Sequence, residues 1–118
     1  MPKVLDSKEF FERIMQIPRP GSEGYLAFYD HRVGAICKDP KTWLIPVDDH
    51  LVHRGDGVFE TLKIASGRVY QLEPHMRRME FSASSIHLTP PCSWGELGDL
   101  VIDVAKAGES ESALIAIY

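Results

Sequence analysis

The stretch PVDDHLVHRGDGVFETLKIASGRVYQLEPHMRRMEFSASSI, residues 46–86, decides the fold of this chain. Within it, the segment Val58 to Ala65 is predicted to be a strand with a period of two, in which one face carries Val58, Glu60, Leu62 and Ile64 and the other carries Phe59, Thr61, Lys63 and Ala65. Ser66-Gly67 is a two-residue turn signal, and Arg68 to Leu72 returns as the hairpin partner. Pro74 then suits the first turn of a helix. The stretch therefore predicts a β-hairpin followed directly by a helix.

The helix after the hairpin has a predicted buried stripe at helical spacing, made of Met76, Met79, Ala83 and Ile86. It also carries an arginine pair, Arg77-Arg78. Adjacent helical residues point about 100° apart, so one arginine can turn inward while the other stays solvated.

Further elements are predicted on both sides of this stretch. The spacing of Asp6 and Glu9, and again of Ser93 and Glu96, is that of a capping box at a helix start. Short strands are expected at Tyr25–Tyr29, Val33–Cys37 and Ala113–Tyr118, and Pro46 limits Trp43–Val47 to an edge strand or an extended connector. The last strand reads as cut in mid-element, so we expect a fragment of a longer chain.

Composition narrows the class of protein. The chain has 118 residues, a hydrophobic fraction of 44% and a charged fraction of 25%, which suit one soluble globular domain. A net charge of -4 gives no sign of a nucleic-acid footprint, and no apolar run approaches the roughly 20 residues that a membrane span needs. Cys37 and Cys92 have no metal-like or redox-like spacing, so free thiols in a reducing cytoplasm are expected, although one disulfide stays open.

Residues 46–86 resemble the fold-type IV family of enzymes that use pyridoxal 5'-phosphate (PLP). This family includes branched-chain aminotransferases, D-amino acid aminotransferases, R-selective amine transaminases and aminodeoxychorismate lyases. The resemblance is carried by RGDGVFET after an acidic lead-in, the hairpin, and a helix that opens with an acidic residue and PHMRRMEFSA. It implies an α+β fold with an antiparallel sheet and helices on one face. Residues 1–24 would form an N-terminal helix and loop, and residues 25–118 a small domain truncated before the domain that carries the PLP lysine.

The resemblance also implies roles for individual residues. The family's His-x-x-Arg matches His75 to Arg78, so Arg78 is expected to bind the PLP phosphate, the alternative being a surface arginine. Phe59 is expected to line the substrate pocket or to be a core aromatic residue. Arg54 is a candidate for substrate contact near the carboxylate, or is solvated. Glu60 is either a polar group of the pocket or a structural carboxylate.

Other candidate groups are set aside. His50 and His53 suggest a metal site only superficially, because convergent further ligands are missing from the pattern, and Asp56 is expected to stabilise the turn. PLP chemistry needs a lysine amine and an acidic partner for the pyridine nitrogen, and the family places both beyond this chain. Of the six lysines, only Lys63 lies within the matched motif, at a position where no family lysine acts. No catalytic residue is therefore expected here.

The implied function is amino transfer between an amino acid and a 2-oxo acid by a PLP enzyme, commonly a homodimer, completed by the remaining C-terminal segment. The D-amino acid type is favoured because Thr61 and Lys63 replace the glycine and arginine usual in branched-chain enzymes. The alternatives are an aminodeoxychorismate lyase, a branched-chain aminotransferase, or a non-catalytic small-domain module that only binds a partner. No nucleic-acid or membrane partner is expected.

Overall fold

A computed structural model describes residues 1–118, and it has the α+β composition predicted from the sequence. Helices and strands in chain order are α1 (Ser7–Gln16), β1 (Phe28–Asp30), β2 (Ala35–Cys37), a 3-10 helix (Pro40–Thr42), α2 (His50–Arg54), β3 (Glu60–Ala65), β4 (Arg68–Val69), α3 (Leu72–Ser85), α4 (Trp94–Gly108) and β5 (Ser112–Ile117). The strands form a two-stranded sheet, β1-β2, and a three-stranded sheet in the order β4-β3-β5; all pairings are antiparallel.

The core lies on one face of the three-stranded sheet. Leu62 and Ile64 on β3 and Ile115 on β5 point to the same side, since Leu62 pairs with Ile115, and all three are buried. Val101 of α4 packs against them. The other face of the sheet carries the exposed Lys63. Helices therefore cover one face only, as the alternating pattern of β3 predicts.

The β3–β4 hairpin has the predicted two-residue turn, with φ of 49° at Ser66 and 71° at Gly67. Positive φ at both central residues gives the turn the twist that a tight hairpin needs. The return strand is shorter than predicted and ends at Val69 instead of Leu72. Gln71 adopts a left-handed conformation with φ of 54°, and this redirects the chain so that α3 begins at Leu72.

The main strand also begins later than predicted, at Glu60 rather than Val58. Its ladder with β5 runs from the pair Glu60–Ile117 to the pair Ala65–Ser112, and Val58 and Phe59 precede it. They belong instead to the loop that leads from α2 into the sheet.

Helix α2 was not predicted. The side chain of Asp49 accepts a hydrogen bond of 2.9 Å from the Leu51 backbone N–H, and the helix ends at Gly55 with φ of 73°. An aspartate cap and a left-handed glycine are ordinary signals for the start and end of a helix. They were missed because the helix is only five residues long and carries no apolar stripe.

The remaining expectations are mostly confirmed. Asp6 caps α1, and the reciprocal capping box of Ser93 and Glu96 starts α4. Strands β1 and β2 are shorter than expected, and Trp43–Val47 forms a connector after the 3-10 helix. Ile86 was wrongly placed in the buried stripe of α3: it follows the last helical turn and is 46% exposed.

No helix combines the length and apolar character needed to traverse a bilayer.

Candidate functional site

A buried carboxylate lies at the start of β3, on the face that α3 covers. The Glu60 side chain is only 4% exposed, and a buried charge is costly unless it is paired and hydrogen-bonded. Its partner is Arg78 of α3, whose Nε donates to Oε1 at 2.6 Å and whose Nη2 donates to Oε2 at 2.7 Å. The pair is bidentate, which is the strongest arrangement between arginine and a carboxylate.

His75 completes the arrangement from one helical turn earlier on α3. Its Nδ1 lies 2.7 Å from Oε2 of Glu60, and its side chain is 22% exposed. An ionised carboxylate only accepts hydrogen bonds, so Nδ1 carries the proton and donates it. The 3.4 Å approach between this nitrogen and Nη2 of Arg78 is then a contact between two donors rather than a hydrogen bond. We call these three residues the Glu60–His75–Arg78 cluster.

The cluster keeps Glu60 ionised. Hydrogen bonding from Arg78, followed by that from His75, lowers the pKa of Glu60 from 4.5 to about 2, against the opposing effect of burial. The same hydrogen bonds to Glu60 raise the pKa of Arg78 above its usual value. The two side chains therefore form an ion pair throughout the pH range in which proteins normally work.

The ion pair with Glu60 leaves some hydrogen-bond donors of Arg78 free. A guanidinium has five N–H donors, and Glu60 takes two of them, on the edge formed by Nε and Nη2. The edge formed by Nη1 and Nη2 keeps its parallel N–H bonds, and the side chain is 66% exposed. The cluster can therefore bind a second anion from solvent, and a phosphate fits a free guanidinium edge of this kind.

The neighbouring arginine has a different environment. Arg77 faces Glu73 four residues earlier on α3 at 3.6 Å, and the two side chains are 69% and 79% exposed. Such exposed pairs are screened by solvent and contribute little. Only one member of the Arg77-Arg78 pair is thus fixed by a buried partner, as the angular separation on a helix allows.

The other predicted site residues form no side-chain hydrogen bond or ion pair with the cluster. Phe59 is 69% exposed, and the centroid of its ring lies 6.4 Å from that of the Tyr118 ring. Arg54 ends α2, is exposed, and makes no side-chain hydrogen bond or ion pair. The structure brings Glu60 and Arg78 into direct contact but places Arg54 and Phe59 near the loop that precedes β3.

Sequence reasoning used His75 only to align the motif and missed its contact with Glu60. The signal was present, since His75 and Arg78 are three residues apart and so share a helix face. The sequence does not show which residue of β3 contacts the α3 face that carries His75 and Arg78.

A shallow cleft of about 440 Å³ lies beside the glycine turn, lined by His50, Gly55, Asp56, Gly57, Ile86, His87 and Leu88. His50 Nδ1 lies 4.0 Å from Asp56 Oδ2, and both side chains are largely exposed. No group of three or more histidines, cysteines or acidic residues is placed to hold a metal ion.

Residues 57–118 match the family model described as amino-transferase class IV. This segment contains β3, the hairpin, α3 and β5, and with them the whole Glu60–His75–Arg78 cluster.

Two curated relatives are similar over a larger part of the chain than the family model matches, and a third is similar over a smaller part. A chloroplastic D-amino-acid transaminase of Arabidopsis thaliana is 42% identical over 88 residues, which are 75% of this chain and 23% of that protein. A putative branched-chain-amino-acid aminotransferase of Methanocaldococcus jannaschii is 32% identical over 67% of this chain and 27% of its own length. A bifunctional aminodeoxychorismate lyase / D-amino acid transaminase of Mycobacterium tuberculosis is 44% identical over 41% of this chain and 17% of its own length. The chain spans about a quarter of the length of the first two relatives.

Proposed function

Because the chain belongs to the class IV aminotransferase family, we propose that it is part of a PLP-dependent aminotransferase and supplies the group that binds the cofactor phosphate. The enzyme would move an amino group between an amino acid and a 2-oxo acid. The observation that carries this proposal is Arg78, which is anchored on the buried Glu60 through its Nε–Nη2 edge and is 66% exposed, so that its Nη1–Nη2 edge can serve a second anion.

Arg78 fits a phosphate in both charge and geometry. A guanidinium is cationic at any pH in which proteins work, and the free edge of Arg78 can donate two parallel hydrogen bonds to phosphate oxygens. When bound, PLP would supply the electron sink that stabilises the carbanion formed at the amino-acid α-carbon. The role of this chain's residues is to hold the cofactor at its phosphate end, which fixes the position of its reactive ring.

Arg54 and Phe59 are proposed as substrate contacts. Arg54 is exposed and makes no side-chain ion pair, so it can pair with a substrate carboxylate. Phe59 presents an exposed aromatic ring just before the strand that carries Glu60. Glu60 itself has both carboxylate oxygens engaged by protein donors, so we propose that it serves the pocket through Arg78.

The preferred amino donor is proposed to be a D-amino acid. This rests on Thr61 and Lys63 in the motif and on the 42% identity to a protein named as a D-amino-acid transaminase. A second candidate is aminodeoxychorismate lyase activity, favoured by the similarity to a protein named as bifunctional for both reactions. A branched-chain aminotransferase and a non-catalytic binding module are weaker alternatives.

Donor screening tests this proposal. The complete protein would be incubated with PLP, 2-oxoglutarate or pyruvate, and matched D- and L-enantiomers of alanine, glutamate and leucine. The proposal expects 2-oxo acid formation from D-amino acids, with L-leucine much slower. Turnover of L-leucine alone would indicate the branched-chain type, and pyruvate release from aminodeoxychorismate would indicate the lyase. Absence of all three activities in PLP-loaded protein would contradict an enzymatic role.

We further propose a homodimer in a reducing compartment, the cytoplasm being the first to examine. Cys37 and Cys92 are free thiols, which is consistent with a reducing environment. The apolar side chain of Leu114 is 74% exposed on the sheet and offers surface that an assembled protein can cover. Light scattering of the complete protein tests the dimer, and fractionation or imaging of a tagged protein tests the compartment.

A further inference from the structure

We infer that Glu60 and His75 are positioning residues for phosphate binding, which hold the Arg78 guanidinium in one orientation before the cofactor arrives. The inference rests on the proposed function of Arg78 as the phosphate ligand. In this role, the buried carboxylate of Glu60 and the imidazole of His75 act through Arg78 and do not touch the cofactor.

The geometry supports this role in the following way. Glu60 uses the Nε–Nη2 edge of Arg78, and the two hydrogen bonds of this edge fix both the direction and the plane of the guanidinium. The Nη1–Nη2 edge is therefore presented in a defined direction, although the side chain is 66% exposed. An exposed arginine without such a partner samples many rotamers, and ordering them on binding costs affinity.

His75 has a separate share in the positioning. Its Nδ1–H donates to Oε2, the same oxygen that accepts from Nη2 of Arg78. This third hydrogen bond holds the carboxylate itself, so Glu60 cannot rotate together with the guanidinium. The imidazole lies on α3 three residues before Arg78, so the helix fixes the spacing of both donors.

Glu60 also has a competing effect on an anion. Its negative charge partly neutralises Arg78 and so weakens the attraction between Arg78 and phosphate. A carboxylate that served only as a counter-ion would therefore reduce phosphate affinity, whereas a positioning carboxylate increases it. Removal of the Glu60 charge should weaken phosphate binding if Glu60 positions Arg78, and should strengthen it if Glu60 is only a counter-ion. A single isosteric variant can therefore test the inference.

The experiment uses the complete protein and two probes, PLP and pyridoxal, which lacks the phosphate. Glu60→Gln keeps the side-chain shape but loses the bidentate acceptor. Freeing one side chain costs roughly 0.5–1.5 kcal/mol, so we expect the Kd for PLP to rise about two- to twelvefold. The Kd for pyridoxal should change less than about twofold. In an Arg78→Ala background, Glu60→Gln should have no further effect on PLP.

A second pair of variants covers the case in which Glu60→Gln does not fold. His75→Asn keeps an N–H donor near the position of Nδ1 and should retain the affinity for PLP. His75→Phe keeps the ring without the donor and should weaken PLP binding selectively over pyridoxal. This difference between a conservative and an isosteric change would not arise from a purely packing role.

Three results with Glu60→Gln would overturn the inference. They are PLP binding that is unchanged or tighter in Glu60→Gln, equal losses for PLP and pyridoxal, or an effect of Glu60→Gln that persists without Arg78. For the His75 pair, equal PLP affinities in the two variants would do the same. The failure of the proposed function itself is a different result: Arg78→Ala would then bind PLP as tightly as the wild type.

Discussion

The guanidinium of Arg78 donates two hydrogen bonds, of 2.6 and 2.7 Å, to the buried carboxylate of Glu60. This contact joins the first residue of β3 to the middle of α3. It holds α3, the helix that carries the proposed phosphate ligand, against β3, the first strand of the family motif. Both stability and cofactor binding should therefore respond to changes at these two positions.

The first prediction concerns acid stability. The folded pKa of Glu60, about 2, lies below its ordinary value of 4.5, so its stabilising contribution is complete above pH 4.5 and is lost as the pH falls toward 2. At about 1.4 kcal/mol per pH unit, the loss is at most about 3–4 kcal/mol, and the exposure of Arg78 to solvent reduces it. Urea unfolding between pH 6 and 2 measures the effect. Glu60→Gln should flatten this pH dependence, whereas Glu73→Gln, at a carboxylate that is 79% exposed, should leave it nearly unchanged. Equal slopes in wild type and Glu60→Gln would contradict the assignment.

The second prediction concerns the turn after α2. Gly55 has φ of 73° and open space where a Cβ would lie, so a substitution there is limited by backbone strain and not by contacts. Gly55→Ala should lower the free energy of unfolding by about 1 kcal/mol, and Gly55→Asn by less, because asparagine tolerates the left-handed region. Thermal melting of both variants checks this order. Equal destabilisation by alanine and asparagine would show that conformation is not the cause.

The third prediction concerns the start of α4. Ser93 Oγ accepts from the Glu96 backbone N–H at 3.2 Å, and the Glu96 carboxylate accepts from the Ser93 backbone N–H at 2.8 Å. Ser93→Ala should cost about 1 kcal/mol of stability, and Ser93→Asp, which keeps an acceptor, should cost less. A melting temperature of Ser93→Ala equal to that of the wild type would argue against this cap.

The fourth prediction concerns the lysine in the motif. Lys63 lies on the exposed face of β3, whereas Glu60 lies on the buried face. Lys63→Met should therefore leave the borohydride-trapped incorporation of PLP into the complete protein unchanged, as should a Lys106→Met control. Mass mapping of the modified lysine provides the measurement. Loss of incorporation in Lys63→Met alone would show that the cofactor lies on the opposite face of the sheet.

The hairpin and α3 could be predicted from sequence because period-two alternation, a turn dipeptide and a helical apolar stripe are local signals. The register of β3 against β5 could not be predicted in the same way, since it is a contact between segments that are distant in the sequence. The turn at Gln71 was missed for a different reason: a non-glycine residue in the left-handed region has no strong local signature.

The candidate site shows the same division. Family spacing selected Arg78, and alternation placed Glu60 on the same face as Leu62, which is buried. Neither pattern predicts that α3 lies so that Arg78 and His75 meet Glu60, because the position of a helix over a sheet is set by packing. The sequence left two roles open for Glu60, a structural carboxylate and a polar group of the pocket. Its hydrogen bonds to Arg78 are compatible with both roles at once.

The central claim, that Arg78 binds the cofactor phosphate and Arg77 does not, is tested most directly by PLP titration of three proteins: the complete wild type, Arg78→Ala and Arg77→Ala. A charge-assisted hydrogen bond contributes about 1.5–3 kcal/mol, so Arg78→Ala should raise the Kd for PLP roughly ten- to a hundredfold. Arg77→Ala should change it by less than about twofold, since Arg77 is solvated and faces Glu73. Loss of affinity in Arg77→Ala with normal binding in Arg78→Ala would contradict the account.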